Sequence, residues 1–329
     1  MLERMTEQMK AIEVCLDAGL IPYLEAADGE GKSTFCVALA DYRKSGCAIM
    51  LGNNMDPTDL GGAIFVDKDG NAKRVPVHRA IREALKAQAE GREFIIVIDE
   101  LTTIPLVVLS TILSLLSEGY AGDEKLDLRY VKFILAGNPA DIAVNGNPLS
   151  PIVMSRLVKF DWKADFNFWC EGMQSGDWCP AEEGALVVSF LKWKGETDGN
   201  GGYFRVAPTS EYLGKTRPTP RSWTKAAIAL SMARERGASR SMNRMIMRGI
   251  VGEKIGQEFA DFLSLQEHVP SPREALDNWE TVEFPERSDL RYSFFLSLAS
   301  YVSGTKKMED WKAVWRLIGR TKDQPCFDM

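Results

Sequence analysis

The stretch Ala26-Ala27-Asp28-Gly29-Glu30-Gly31-Lys32-Ser33-Thr34 constrains the fold more than any other part of the 329-residue chain. It lies between a short apolar run at 20–24 and a helix-compatible segment, Phe35-Cys36-Val37-Ala38-Leu39-Ala40. A strand that turns through glycines into a helix aims backbone N–H groups and the positive end of the helix dipole at one point, where a phosphate fits. In that arrangement residues 28–34 cradle a nucleotide, Lys32 reaches its β- and γ-phosphates, and the Ser33 hydroxyl ligates Mg²⁺. The pattern G-x-x-x-x-G-K-[ST] is met with Ala26 in place of its first glycine. Taken alone, the same residues also describe a glycine-rich turn before an ordinary helix.

A second landmark is Phe94-Ile95-Ile96-Val97-Ile98-Asp99-Glu100. An unbroken apolar run suits a strand buried on both faces of a parallel sheet, and acidic residues at its carboxyl end fall where such sheets bind ligands. Asp99 is expected to hold Mg²⁺ directly or through water, and Glu100 to polarise the attacking water as general base. A further apolar strand at 131–136 ends in Gly137-Asn138-Pro139. Asn138 there can orient the water; a turn asparagine before proline is the alternative.

Around these landmarks the apolar spacing predicts an opening helix with Met5, Met9, Ile12 and Leu16 inward, and a second strand at 48–51. Residues 52–62 read as a long connection, 62–75 as a hairpin turning at 67–71, and 78–89 as a helix. Thr102 or Thr103 can cap a helix with Pro105 in its first turn and Leu106, Leu109, Leu113 and Leu116 inward. Residues 118–129 break that pattern as a second inserted loop or hairpin.

Beyond Asp161 the aromatics Trp162, Phe166, Phe168, Trp169 and Trp178 crowd a short span. Stacking of bases is one use for them, but Asp165, Asp177, Glu182 and Glu183 favour a packed interface. Residues 195–220 read as an ordered loop that delivers Arg221, followed by a helix at 222–236. Arg236, Arg240, Arg244 and Arg248 recur every fourth residue, either as a solvated face or as a site for an acidic partner, nucleic acid or neighbouring subunit. Residues 249–265 read as another amphipathic helix, Pro270-Ser271-Pro272 as a break, and 290–302 and 308–318 as two more helices.

A net charge of −6 and a pI near 5.3 argue against a protein that coats duplex nucleic acid. No apolar run approaches the ~20 residues of a membrane span, and the charged N-terminus, Met1 to Glu7, lacks the apolar core of a signal peptide. A cytoplasmic protein is therefore expected. Cys15, Cys36, Cys47, Cys170, Cys179 and Cys326 are scattered, with only His78 and His268 beside them, which favours free buried thiols over a zinc site. Neither H-E-x-x-H nor a G-x-S-x-G leading into a helix with triad partners is present, so the chemistry is confined to the phosphate site.

With the loop, the acidic strand and Asn138, then Ser155-Arg156-Leu157-Val158-Lys159-Phe160 and Pro218-Thr219-Pro220-Arg221-Ser222-Trp223, the chain resembles an AAA+ ATPase of the MoxR and dynein-related branch. The resemblance runs from about Ile12 to Leu276. It implies an α/β nucleotide-binding domain over 1–162, a parallel P-loop sheet flanked by helices; an α-helical lid over 163–270; and a C-terminal helical extension over 271–329. Trp311 and Trp315 are then expected to dock on the lid. By resemblance Asn138 is the first sensor, Arg156 the finger that reaches the γ-phosphate of the neighbouring subunit, and Arg221 the second sensor. Asn53, or equally Asn54, stands where relatives carry a polar switch residue, and the insertions at 56–76 and 120–130 would project near a ring's pore or face. ATP and Mg²⁺ as cofactors, a homo-oligomeric ring, a hexamer in relatives, and a protein client follow by the same resemblance. So does a partner with a von Willebrand factor A domain. Two other readings stand beside it: a nucleic-acid motor or loader, and a nucleotide switch or scaffold that does not hydrolyse.

Overall fold

Met9, Ile12 and Leu16 recur at helical spacing and form the buried face of helix α1 (Glu7–Asp17), which the Thr6 hydroxyl caps by accepting from the Met9 N–H. The computed structural model describes residues 5–143, 145–195, 202–266, 268–305 and 307–320. Residues 196–201 of the expected loop, residues 1–4 of the charged N-terminus and Cys326 lie outside them. The chain divides into two units, Met1–Lys163 and Ala164–Met329.

In the first unit α1 is followed by β1 (Ile21–Glu25), α2 (Lys32–Arg43), β2 (Gly46–Leu51), α3 (Pro57–Gly61), β3 (Ala63–Val66) and β4 (Ala72–Val75). Then come α4 (Arg79–Ala89), β5 (Phe94–Asp99), α5 (Leu106–Glu118), β6 (Tyr120–Ala121), β7 (Glu124–Lys125), β8 (Val131–Gly137), α6 (Pro151–Met154) and β9 (Leu157–Asp161). Five strands form one sheet in the order β2-β5-β8-β1-β9, every neighbour parallel. Glu25 is in register with both Gly137 and Asp161, and Leu51 with Asp99, so the carboxyl ends of the strands line one edge. Ile95 to Ile98 are fully buried, as the apolar run requires of a central parallel strand. Met50, Ile96, Ile98, Phe133 and Leu135 pack with Ile81 and Ala84 of α4 and Ile112 and Leu115 of α5. Helix α2 packs against β2, β5 and β8.

Two expectations in this unit need correcting. Residues 52–62 are not irregular throughout: a 3-10 turn (Gly52–Asn54) leads into α3, where Asp56 and Asp59 close a capping box around Pro57 and Leu60 is fully buried. Neither Thr102 nor Thr103 caps α5. Both lie in a 3-10 turn, the helix begins at Leu106, and its buried face is Val108, Ile112, Leu115 and Leu116, with Leu106 72% exposed. The frame is marked instead by Ser110, Ser114 and Ser117, which recur at i, i+4 and i+7 and are all exposed on the opposite face.

Both expected hairpins form, β3–β4 and β6–β7, and they are stitched together. The Asp123 N–H donates to the Arg74 carbonyl at 2.9 Å, the Arg74 N–H to the Asp123 carboxylate at 2.7 Å, and Lys73 pairs with Glu124 at 2.7 Å.

The second unit is helical: α7 (Phe166–Ser175), α8 (Ala181–Trp193), α9 (Pro220–Glu235), α10 (Arg240–Val251), α11 (Glu253–Gln266), α12 (Pro272–Asp277), α13 (Ser288–Thr305) and α14 (Met308–Arg320). Phe166, Trp169, Phe190, Phe204, Trp223, Phe259 and Phe262 share its core, so the aromatics past Asp165 serve packing. Helix α13 packs on α7 and α8, where Gln174 Nε2 donates to the Ser300 carbonyl at 2.7 Å. Trp311 packs into the C-terminal cluster, but Trp315 is 63% exposed, because Ala313, Val314 and Leu317 take the buried face of α14.

The arginine repeat is also interrupted. Helix α9 stops at Glu235, Ser239 caps α10, and Arg236 stands between them; Arg244 pairs with Asp261 at 3.3 Å and Arg248 with Glu253. Gly252 then separates α10 from α11, so the helix read at 249–265 begins at Glu253. Among the described residues no helix is long and apolar enough to cross a membrane. Cys15, Cys36, Cys47, Cys170 and Cys179 are free, and burial pushes the Cys170 and Cys179 thiols up to about 12.

In the second unit α7 and α8 meet over Gly184, where a Cβ would sit 2.0 Å from the Met173 carbonyl oxygen. Backbone cannot yield as a flexible side chain can. Gly184→Ala is therefore expected to destabilise the protein by about 1–3 kcal/mol, read as a lower melting temperature. An unchanged melt would show that α7 and α8 separate freely.

Candidate functional site

At the carboxyl edge of the sheet, the Ala26 N–H donates to the Gly137 carbonyl at 3.1 Å, which carries the pairing of β1 and β8 one residue into the loop. Gly29 and Gly31 have φ of 78° and 75°, in the left-handed region where a side chain is disfavoured. Gly31 is the N-cap of α2 and offers no side chain to the first-turn N–H groups. Those donors are the ones a phosphate accepts from.

Lys32 is 7% exposed, and its ammonium donates to Ala26 O at 2.7 Å, Ala27 O at 3.1 Å and Asn138 Oδ1 at 2.8 Å. The lysine at the head of α2 thus meets the asparagine at the tip of β8. The Ser33 hydroxyl donates to Asp99 Oδ2 at 2.5 Å, joining α2 to the end of β5. A hydroxyl and a carboxylate at that separation are hard oxygen donors of the kind Mg²⁺ takes, so the residues present fit the ion.

Glu100 follows Asp99 with φ 62° and ψ 39°, a left-handed conformation uncommon for a residue with a side chain. Its N–H donates to Asp99 Oδ1 at 2.8 Å, and its carbonyl accepts from the Thr103 N–H at 3.0 Å and the Thr103 hydroxyl at 2.9 Å. Such a turn costs on the order of 1–3 kcal/mol and persists because its surroundings fix it. Thr102, 3% exposed, donates its hydroxyl to the Asn138 carbonyl at 2.8 Å.

Behind the loop, the Trp162 indole N–H donates to the Glu30 carbonyl at 2.9 Å, and its ring stacks on Phe35 with centroids 4.6 Å apart. The Tyr23 hydroxyl donates to Glu25 Oε1 at 3.2 Å, and Lys159 pairs with the same carboxylate. Burial, and then Glu25, push the Tyr23 phenol far up. Thr102 and Trp162 were not singled out for this site by sequence. Their partners lie 36 and 132 residues away, and no local pattern announces such a bond.

The first unit thus brings together Lys32, Ser33, Asp99, Glu100 and Asn138. Glu30 is buried at the back of the loop, while Asp28 and Thr34 are exposed. Asn53 and Asn54 are exposed in the turn after β2. Arg156 is exposed, its Nε donating to Ser117 Oγ of α5 at 2.7 Å and its Nη1 to the Ile152 carbonyl of α6 at 2.7 Å. Arg221, in the second unit, is exposed on the first turn of α9, held there by the Thr219–Ser222 capping box. Among the described residues its side chain has no hydrogen bond or ion pair.

Residues 25–157 match the family model of the AAA domain, dynein-related subfamily. This segment is an AAA domain of that subfamily. The five-stranded parallel sheet flanked by helices, with its glycine loop after β1, is the AAA+ fold. Among solved structures, a variant of RuvB from Thermotoga maritima is 13% identical, with 98% of this chain and 92% of that one covered and a TM-score of 0.41. The RuvB Holliday junction branch migration motor from the same organism is 13% identical, with 97% and 88% covered and a TM-score of 0.37. A candidate ATPase from Cytophaga hutchinsonii is 15% identical, with 74% and 80% covered and a TM-score of 0.37. No curated protein matches the sequence of this AAA-domain chain.

Proposed function

We propose that this chain is a MoxR-like ATPase that assembles into a ring, as a hexamer, and couples ATP hydrolysis to remodelling or assembly of a protein client. A partner with a von Willebrand factor A domain belongs to this proposal through the resemblance. The observation that carries the reading is the convergence of Lys32 on Asn138 and of Ser33 on Asp99 at one edge of a parallel sheet.

In this reading the loop N–H groups of residues 28–34 and the Lys32 ammonium bind the β- and γ-phosphates. Mg²⁺, held by Ser33 and Asp99, supplies charge that neutralises the phosphate oxygens. Glu100 takes the proton of the attacking water, and Asn138 orients that water. Arg156 reaches the γ-phosphate of the adjoining subunit and Arg221 completes the charge around it; guanidinium groups suit a transition state that spreads negative charge over the γ-phosphoryl oxygens.

Purified protein should release phosphate from Mg-ATP and form ring-shaped particles. Lys32→Ala should weaken ATP binding by about 3 kcal/mol or more, a factor of ~100, because charge-assisted hydrogen bonds to phosphate contribute about 1.5–3 kcal/mol each. Titration with a fluorescent ATP analogue reads this directly. Wild-type affinity in Lys32→Ala, or wild-type protein that neither assembles nor turns over ATP, would overturn the proposal.

A further inference from the structure

The geometry points to Thr102 as a positioning residue that sets the register between the Glu100 turn, Asn138 and the segment leading to Arg156. This rests on the hydrolytic reading above. Thr102 is almost fully buried, and its hydroxyl and its carbonyl each bond to a different piece of the site. Its hydroxyl donates to the Asn138 carbonyl at 2.8 Å, and Asn138 in turn accepts Lys32 Nζ on its side chain at 2.8 Å. Its own carbonyl accepts from the Asn147 N–H at 2.8 Å. Asn147 opens the approach to Ser150, whose hydroxyl caps α6, and α6 supplies the carbonyl of Ile152 to the Arg156 guanidinium.

Upstream, Thr102 belongs to the 3-10 turn that begins at the left-handed Glu100 and is closed by Thr103 on the Glu100 carbonyl. A left-handed residue followed by one tight turn leaves few ways to shift Glu100 while Thr102 stays bonded. One buried hydroxyl therefore holds the group that takes the proton and the group that faces the lysine at a fixed offset, and it ties both to the stretch carrying the arginine. Small misplacements at such a site are costly, of order a hundredfold in rate for about 1 Å.

Valine keeps the volume of threonine and removes the hydroxyl; serine keeps the hydroxyl and removes the methyl. Thr102→Val is expected to lower kcat by about 10- to 100-fold, with KM for ATP and the affinity for ATP changed by less than about threefold. Thr102→Ser should recover kcat to within about threefold of wild type. A second reading needs no nucleotide: amide exchange at Asn147 should quicken about tenfold or more in Thr102→Val and stay near wild type in Thr102→Ser.

Wild-type kcat in Thr102→Val overturns the inference, as does a parallel loss of kcat and ATP affinity, or equal loss in both variants. If Thr102→Val does not fold, a Thr102→Ser enzyme with a tenfold or greater drop in kcat refutes it, and one at wild-type kcat with wild-type exchange supports it. Should the wild-type protein turn over no ATP, the proposed function fails on that result, while the exchange comparison still decides the Thr102 contact.

Discussion

Glu100→Gln is expected to lower ATP turnover by about a thousandfold while ATP stays bound, since a positioned general base contributes about 10²–10⁴ in rate. Glutamine has the shape of glutamate but cannot take the proton. The turn that places residue 100 is built from other groups: the Asp99 carboxylate on its N–H, and the Thr103 N–H and hydroxyl on its carbonyl. The substitution therefore leaves the backbone in its left-handed conformation. In the proposed function binding is assigned elsewhere, to Lys32 and Ser33 at the head of α2 and Asp99 one residue upstream. The split between binding and turnover is the useful part of the result. Phosphate release and equilibrium ATP binding should be measured on the same preparation. Turnover within tenfold of wild type would remove Glu100 from the role of base, and loss of binding would mean that the β5 turn holds the nucleotide rather than the water.

What the sequence made legible here was chemistry concentrated in short windows. The loop at 26–34 and the acidic pair at 99–100 each declare themselves within nine residues, because glycine torsions, a lysine and hard oxygens are local requirements. The central strands were equally readable, since a strand buried on both faces must be apolar at every position, as Ile95 to Ile98 are. Legibility failed where a residue has two uses. Thr102 and Thr103 look like helix caps, yet their hydroxyls serve Asn138 and Glu100, and α5 begins after Pro105 without them. Asp56-Pro57 looks like a turn and also starts α3. The arginines at 236, 240, 244 and 248 keep a perfect interval of four across a chain that is not one helix. Trp162 belongs by composition with the aromatics that follow it, but its indole bonds to the glycine loop after β1.

Arg156→Ala should bind ATP nearly as wild type does and lose about 10³-fold or more in turnover, the range measured for arginine fingers. Arg156 is exposed, and its guanidinium bonds to Ser117 of α5 and to the carbonyl of Ile152. In the proposed ring, an arginine so placed would serve the phosphate bound by the neighbouring copy. That makes a quantitative test possible. In a head-to-tail ring each site takes Glu100 from one subunit and Arg156 from the next. Glu100→Gln rings and Arg156→Ala rings are then both inactive on their own. When equal amounts are mixed and allowed to exchange, a site works only where an Arg156→Ala subunit, with its intact Glu100, faces a Glu100→Gln subunit, with its intact Arg156. Random assembly yields that pairing at about a quarter of the interfaces. Recovery of about a quarter of the wild-type rate would therefore support a shared site. If Arg156 instead served its own loop, no subunit in the mixture would hold both groups and activity would stay at the background of the parents. If Arg156→Ala alone kept wild-type turnover, the finger would have to be another residue.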